Sequence, residues 1–379
     1  NEKDQSKQWK PRYIDANGNE TFEKTDKIAT VELKADKDGK YAMDTATKRT
    51  FIEEVAGDFN ADVSAVSLGG NAKGIRVTNR LAANINGNIS AESKANVDFL
   101  KDNEGKDTKE IDEANSKFGN ASAIYGVDAK VYGDINGNLS AKSEGGMATG
   151  MFASSFDGDI NGNVSAENTA LKSVKQYKDQ DYVASVITDR VNGVEVTEDI
   201  NGDINGTISA KSEGGNVIGV KANAINGAIN GTVSAESKAV LAYKVDAEDK
   251  LVVDEANSKF GTAVAVDPET ANLVINGTIS AVADSFTDTP ENVKGLVSTD
   301  GNVNFGNGAI VSAKQNVFND DTQKFEHVKM EWNDASKKVI KTAFNGNAIE
   351  TSGELNVKVD GKADIKGNVK AGSAMNVSG

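Results

Sequence analysis

Asp159-Ile160-Asn161-Gly162-Asn163-Val164-Ser165-Ala166 is one copy of a phrase, Ile-Asn-Gly-x-(Ile/Leu/Val)-Ser-Ala, that also starts at Ile85, Ile135, Ile204, Ile229 and Ile275. Looser copies start at Phe59, Phe305, Phe344 and Ile365. A short unit repeated ten times across most of a chain is the signature of a solenoid, in which each unit is one coil stacked on the next.

Outward from this phrase, the intervals carry a second period. They run 50, 25, 44, 25 and 46 residues from Ile85 to Ile275, so long and short units alternate. The short units share Ser-Ala-Lys-Ser-Glu-Gly-Gly at residues 140–146 and 209–215. Two long units share Ser-Ala-Glu-Ser-Lys-Ala at Ser90 and Ser234, then Asp-Glu-Ala-Asn-Ser-Lys-Phe-Gly at Asp112 and Asp254. The true repeat is therefore a pair, one plain coil followed by one coil with an insert.

In Ile135-Asn-Gly-Asn-Leu139-Ser-Ala141-Lys-Ser143 the apolar or small side chains fall at every second position, the period of a strand with one buried face. A second strand follows the glycine pair, in Met147-Ala-Thr-Gly-Met151-Phe-Ala-Ser. A coil of this length with two or three short strands predicts an all-β fold, a right-handed parallel β-helix with β-hairpin inserts on alternate coils. Each strand would then pair with its equivalent about 4.8 Å away along the axis. The asparagines Asn86, Asn136, Asn161, Asn205, Asn230 and Asn276 are expected to form a side-chain amide ladder at one corner. Polar stretches between apolar ones predict hairpins at 97–111, 174–196, 240–254 and 317–339, and another around 28–51. Residues 1–58 read as an N-terminal cap or arm and 59–379 as the repeat domain.

Composition narrows the function. With 42 Lys plus Arg against 57 Asp plus Glu the net charge is −15, a field that repels nucleic acid and anionic membranes. Neither is expected as a partner, and no apolar run reaches membrane-spanning length. There is no cysteine, which excludes disulfides, Cys-ligated zinc and thiol catalysis, and suits an exported bacterial protein. The polar opening Asn1-Glu2-Lys3-Asp4-Gln5 is read as that of a mature or trimmed chain without a signal peptide.

The run typified by Asp159-Ile-Asn-Gly-Asn-Val-Ser-Ala, and more strongly Gly353-Glu-Leu-Asn-Val-Lys-Val-Asp-Gly-Lys-Ala-Asp-Ile-Lys-Gly-Asn-Val-Lys-Ala-Gly, resembles the passenger regions of bacterial autotransporters and related β-helix surface proteins. The resemblance covers roughly residues 59–379. It implies a right-handed β-helix, export to the bacterial cell surface and an adhesive or structural role. It carries over no catalytic residue, and the family's C-terminal outer-membrane barrel has no counterpart in the sequence.

Two chemistries are suggested by local sequence or by the coil architecture. Asp157-x-Asp159-x-Asn161-Gly162 matches the opening of a calcium loop, and Asn201-x-Asp203-x-Asn205-Gly206 is close. Asn168, however, stands where a bidentate Glu belongs, so Asp157, Asp159, Asn161 and Asp203 are read first as polar corner residues and second as ligands of a structural calcium. No other cofactor is expected. A polysaccharide-active β-helix enzyme would cluster carboxylates with an Arg or Lys base in one groove. Here the carboxylates spread over the insert tips, and the single histidine, His327, sits in a strand-like hairpin. The expectation is a non-catalytic, extracellular rod whose partners are host or matrix surface ligands, or itself through end-to-end or lateral contacts. The alternative is a subunit of a calcium-dependent filament or surface layer.

Overall fold

The computed structural model describes residues 13–14, 20–21, 52–56, 58–333 and 338–378. The hairpin expected at 28–51 lies outside them. The chain is all-β, 63% strand, and among the described residues the one helical segment is the single 3-10 turn Pro290–Asn292.

Two large sheets of parallel strands carry the repeat. The end of each motif forms a strand: Val63–Leu68, Ile89–Lys94, Leu139–Glu144, Asn163–Thr169, Thr207–Glu213, Thr232–Lys238 and Thr278–Ser285. These pair in sequence order and in exact motif register, so that Ser90, Ser140, Ser165, Ser209 and Ser234 lie side by side, as do Ala91, Ala141, Ala166, Ala210 and Ala235. The strand after the corner, such as Ala148–Ala153, Val191–Val196 and Val217–Ile225, enters the second sheet. That sheet already includes Ile52–Ala56, ahead of residue 59 where the repeat was expected to begin.

Motif isoleucines bind one level to the next. Ile85, Ile135, Ile160, Ile204, Ile229 and Ile275 stand in one column, each fully buried. At about 1.5–3 kcal/mol for a buried Ile, this column is a large part of what attaches successive levels. At one position in several levels the two walls come too close for side chains on both. Across from Ile89, Val164, Ile208 and Val233 stand Gly74, Gly150, Gly193 and Gly219, where a Cβ would press on those side chains. The motif glycines are there for a related reason. In the six close copies they hold no left-handed conformation, and a Cβ on Gly206 would collide with the carbonyl oxygen of Gly162 below it.

Two looser motif copies are corrected. After Phe305 the isoleucine column continues to Val359, not Phe344. Phe344 closes a hairpin, its N–H donating to His327 O at 2.8 Å. Ile365 pairs with Val311 and so belongs to the column of Ile89 and Leu139. The last two levels carry five residues, not three, between these columns, which is why spacing misplaced them. Among the described residues the column from Phe59 to Val359 holds nine levels.

Candidate functional site

The residues expected to bind calcium occupy three separate columns. Asp159 accepts the backbone N–H of Asp203 at 2.7 Å, and Asp203 accepts that of Ala228 at 2.7 Å. Asp157 accepts from the Asn201 amide at 2.5 Å. Asn161 is a rung of the amide ladder, donating to Asn136 at 2.9 Å and accepting from Asn205 at 2.8 Å. That ladder runs unbroken from Asn60 to Asn276. Each of the four thus spends an oxygen on the adjacent level. Among the described residues no three His, Cys, Asp or Glu side chains converge.

The hairpins are a more distinctive surface. Phe99–Lys101 pairs with Asp107–Ile111, Leu171–Tyr177 with Gln180–Ile187, and Tyr243–Val245 with Leu251–Val253, all antiparallel. The second insert therefore ends at Ile187; residues 191–196, assigned to it from sequence, return to the parallel sheet because Val191, Val194 and Val196 face the core. The expected insert at 317–339 is two hairpins, 317–326 and Val328–Asn333 with Lys338–Ala343. His327 lies between them, half-buried, with Nδ1 at 2.9 Å from Gln315 O.

Local sequence explains each hairpin. Asp102 and Asp246 form the same turn, Asp102 accepting the N–H groups of Glu104 and Lys106 and Asp246 those of Glu248 and Lys250, each at 2.9 Å. The tip of the second hairpin is Lys178-Asp179, both at positive φ (47° and 63°), the two-residue turn that matches strand twist. The shared Asp-Glu-Ala-Asn-Ser-Lys-Phe-Gly octapeptide makes the return: Ser116 and Ser258 accept the N–H groups of Asp98 and Ala242 at 2.9 Å.

Plain levels serve the hairpins beside them. Where a plain level turns the corner, Gly145 and Gly214 adopt φ of 71° and 78°. The preceding acids reach across: Glu144 accepts the N–H of Ala95 at 2.9 Å and Glu213 that of Ala170 at 3.2 Å, both at hairpin roots. Asp284 does the same for Ala239 at 3.1 Å.

Successive hairpins are two levels apart, about 9.6 Å, close to the roughly 10 Å at which sheets stack face to face. They do pack. Ile111 N–H donates to Ser173 Oγ at 3.0 Å, Lys175 pairs with Glu110 at 3.2 Å, and Lys109 pairs with Asp181. Ala170 and Val186 of the second meet Val240 of the third in a small apolar cluster. Phe260, Phe286, Phe318 and Phe325 link the third to the fourth, with ring centroids 5.1–5.8 Å apart; Phe260 is 43% exposed. The Asn257 amide, with help from Lys244, holds the Asp254 carboxyl below its ordinary range. Hydrogen bonds from Asn319 and Thr322 do the same for Glu326.

No family model, curated protein or solved structure matches the chain.

Proposed function

We propose that this chain is an exported bacterial surface protein: a right-handed parallel β-helix with hairpin inserts on alternate coils, non-catalytic, acting as a structural or adhesive rod. The observation that carries this reading is the continuous row of hairpins along one flank, packed on each other and charged and wet at their tips. Absence of cysteine and a net charge of −15 suit an extracellular protein, and the charge disfavours the anionic partners named above. Host or matrix ligands would meet the row and its partly exposed phenylalanine cluster. The test replaces the hairpin at 240–259 with the Ser-Glu-Gly-Gly corner of a plain level and measures attachment of the purified protein to cultured cells and matrix-coated surfaces. Attachment should fall while circular dichroism still reports the β fold. Undiminished attachment would count against the row.

A second reading is lateral assembly into a filament or layer, for which the hairpin row offers a contact surface in its partly exposed Phe260. Negative-stain microscopy with calcium and then chelator tests it. Fibres lost on chelation would assign calcium to the corners of Asp157, Asp159, Asn161 and Asp203, whereas isolated rods in both conditions would remove the filament reading.

A further inference from the structure

Away from the hairpins, at the far end of the second-sheet strands, the outward side chains of five successive levels are Glu195, Lys221, Asp267, Val297 and Glu350. Short side chains at Asp267 and Val297 between longer ones leave a trough of about 660 Å³. Four level spacings make it roughly 19 Å long. Its sides add Thr197, Asn223, Ser298, Thr299 and Ser352. Just beyond Glu195 on the same face, Phe152 stacks on Tyr125 with ring centroids 5.5 Å apart.

Charge in the trough is unevenly settled. Lys294 pairs with Glu350 at 3.0 Å, and Glu350 also accepts from the Asn347 amide at 2.9 Å. Glu195 accepts from Asn192 at 2.6 Å. Asp267 is half-buried, yet among the described residues it has no hydrogen bond or ion pair, and Lys221 beside it has none either. Burial pushes the Asp267 carboxyl above its ordinary range against the pull of Lys221 and Lys294. A half-buried acid without a partner costs stability, and such costs gather where a ligand supplies what is missing.

The geometry points to a binding site for a neutral polyhydroxylated chain, an oligosaccharide laid along the stack. Donors and acceptors alternate from one level to the next, Glu195, Lys221, Asp267, which suits hydroxyl groups because each donates and accepts at once. A cationic peptide would meet Lys221 and Lys294, and an anionic glycan would meet Glu195, Asp267, Glu269 and Glu350. Beside the trough Phe152 offers an aromatic ring to the apolar side of a sugar; Tyr125 behind it is already covered by Phe152 and by Lys73, whose Nζ lies 3.3 Å from its ring centroid. The site is independent of the hairpin row and of the reading built on it.

Calorimetry on the full chain with neutral hexasaccharides of glucose, mannose, galactose and N-acetylglucosamine tests this. At least one should bind with Kd at or below about 1 mM. Lys221→Ala and Asp267→Ala should each weaken it at least about tenfold, with unchanged circular dichroism, while Lys244→Ala on a hairpin should leave it unaltered. Three results would overturn the proposal: no binding by any of them, binding indifferent to Lys221 and Asp267, or tighter binding of oligolysine or oligogalacturonate than of every neutral sugar. Loss of attachment on hairpin replacement bears on the rod reading alone.

Discussion

Asp249, at the tip of the third hairpin, is gripped by Lys178 at the tip of the second, 71 residues earlier in the chain. Tyr177 donates to the same carboxylate. Together, Lys178 first and Tyr177 second, they hold the Asp249 carboxyl below its ordinary range, while Asp249 raises the Lys178 ammonium. The contact joins two inserts that share no strand, so it reports on the row rather than on the sheets.

Its pH dependence follows from the depressed carboxyl. The link is complete above the ordinary aspartate value of about 4 and is lost as pH falls through the lower folded value. The protection of amides in 172–186 against hydrogen exchange, taken relative to the intrinsic exchange rate at each pH, should therefore fall in acid. Asp249→Asn should give the lower protection already at neutral pH. The pair is exposed, so the midpoint of global unfolding should not move. Protection indifferent to both changes would mean that the tips are not tethered.

Close approach of backbones at the motif corner makes Gly206→Ala severe. The added methyl must push apart two levels bonded on both sides, and the cost should be about 3 kcal/mol or more, read from urea denaturation. A cost under about 1 kcal/mol would mean the corner relaxes freely.

The amide ladder predicts a graded effect. Asn205 both donates to Asn161 and accepts from Asn230, whereas Asn276 donates to Asn230 at the ladder's end. At about 0.5–1.5 kcal/mol for each net hydrogen bond, Asn205→Ala should cost roughly twice as much as Asn276→Ala. Equal costs would show that the rungs do not act through their neighbours.

Asp267→Asn should stabilise the protein at neutral pH, because it removes a charge whose burial is opposed. The sign reverses that of Asp249. A raised carboxyl is a liability above its folded value and a lessening one as pH falls toward the ordinary carboxylate range. Thermal midpoints of the two proteins should thus converge in acid. A variant less stable than the parent at every pH would show that Asp267 has an ionic partner.

What sequence could reveal follows from what repeats. The strands and the ladder were legible because Asn, Ser and Ala recur at one register, level after level. A second recurring phrase passed unread: Ala72-Lys-Gly74-Ile, Ala148-Thr-Gly150-Met, Val191-Asn-Gly193-Val, Val217-Ile-Gly219-Val and Val293-Lys-Gly295-Leu. Its glycine marks the wall facing the motif side chains, and nothing in strand periodicity calls for it. The trough was illegible for the opposite reason. The residue after this phrase differs at every level, from Arg76 and Phe152 to Glu195, Lys221 and Val297, so only stacking brings these side chains into one line.

The spacing of the hairpins sets a parity rule on how this chain can change length. Two levels bring one hairpin to the distance at which the next lies flat against it; one level would drive two hairpins into the same space, and three would part them. Duplication or loss of a single level therefore breaks the row even where the sheets tolerate it. Longer and shorter forms of the array should differ by whole pairs, one bare level and one bearing a hairpin.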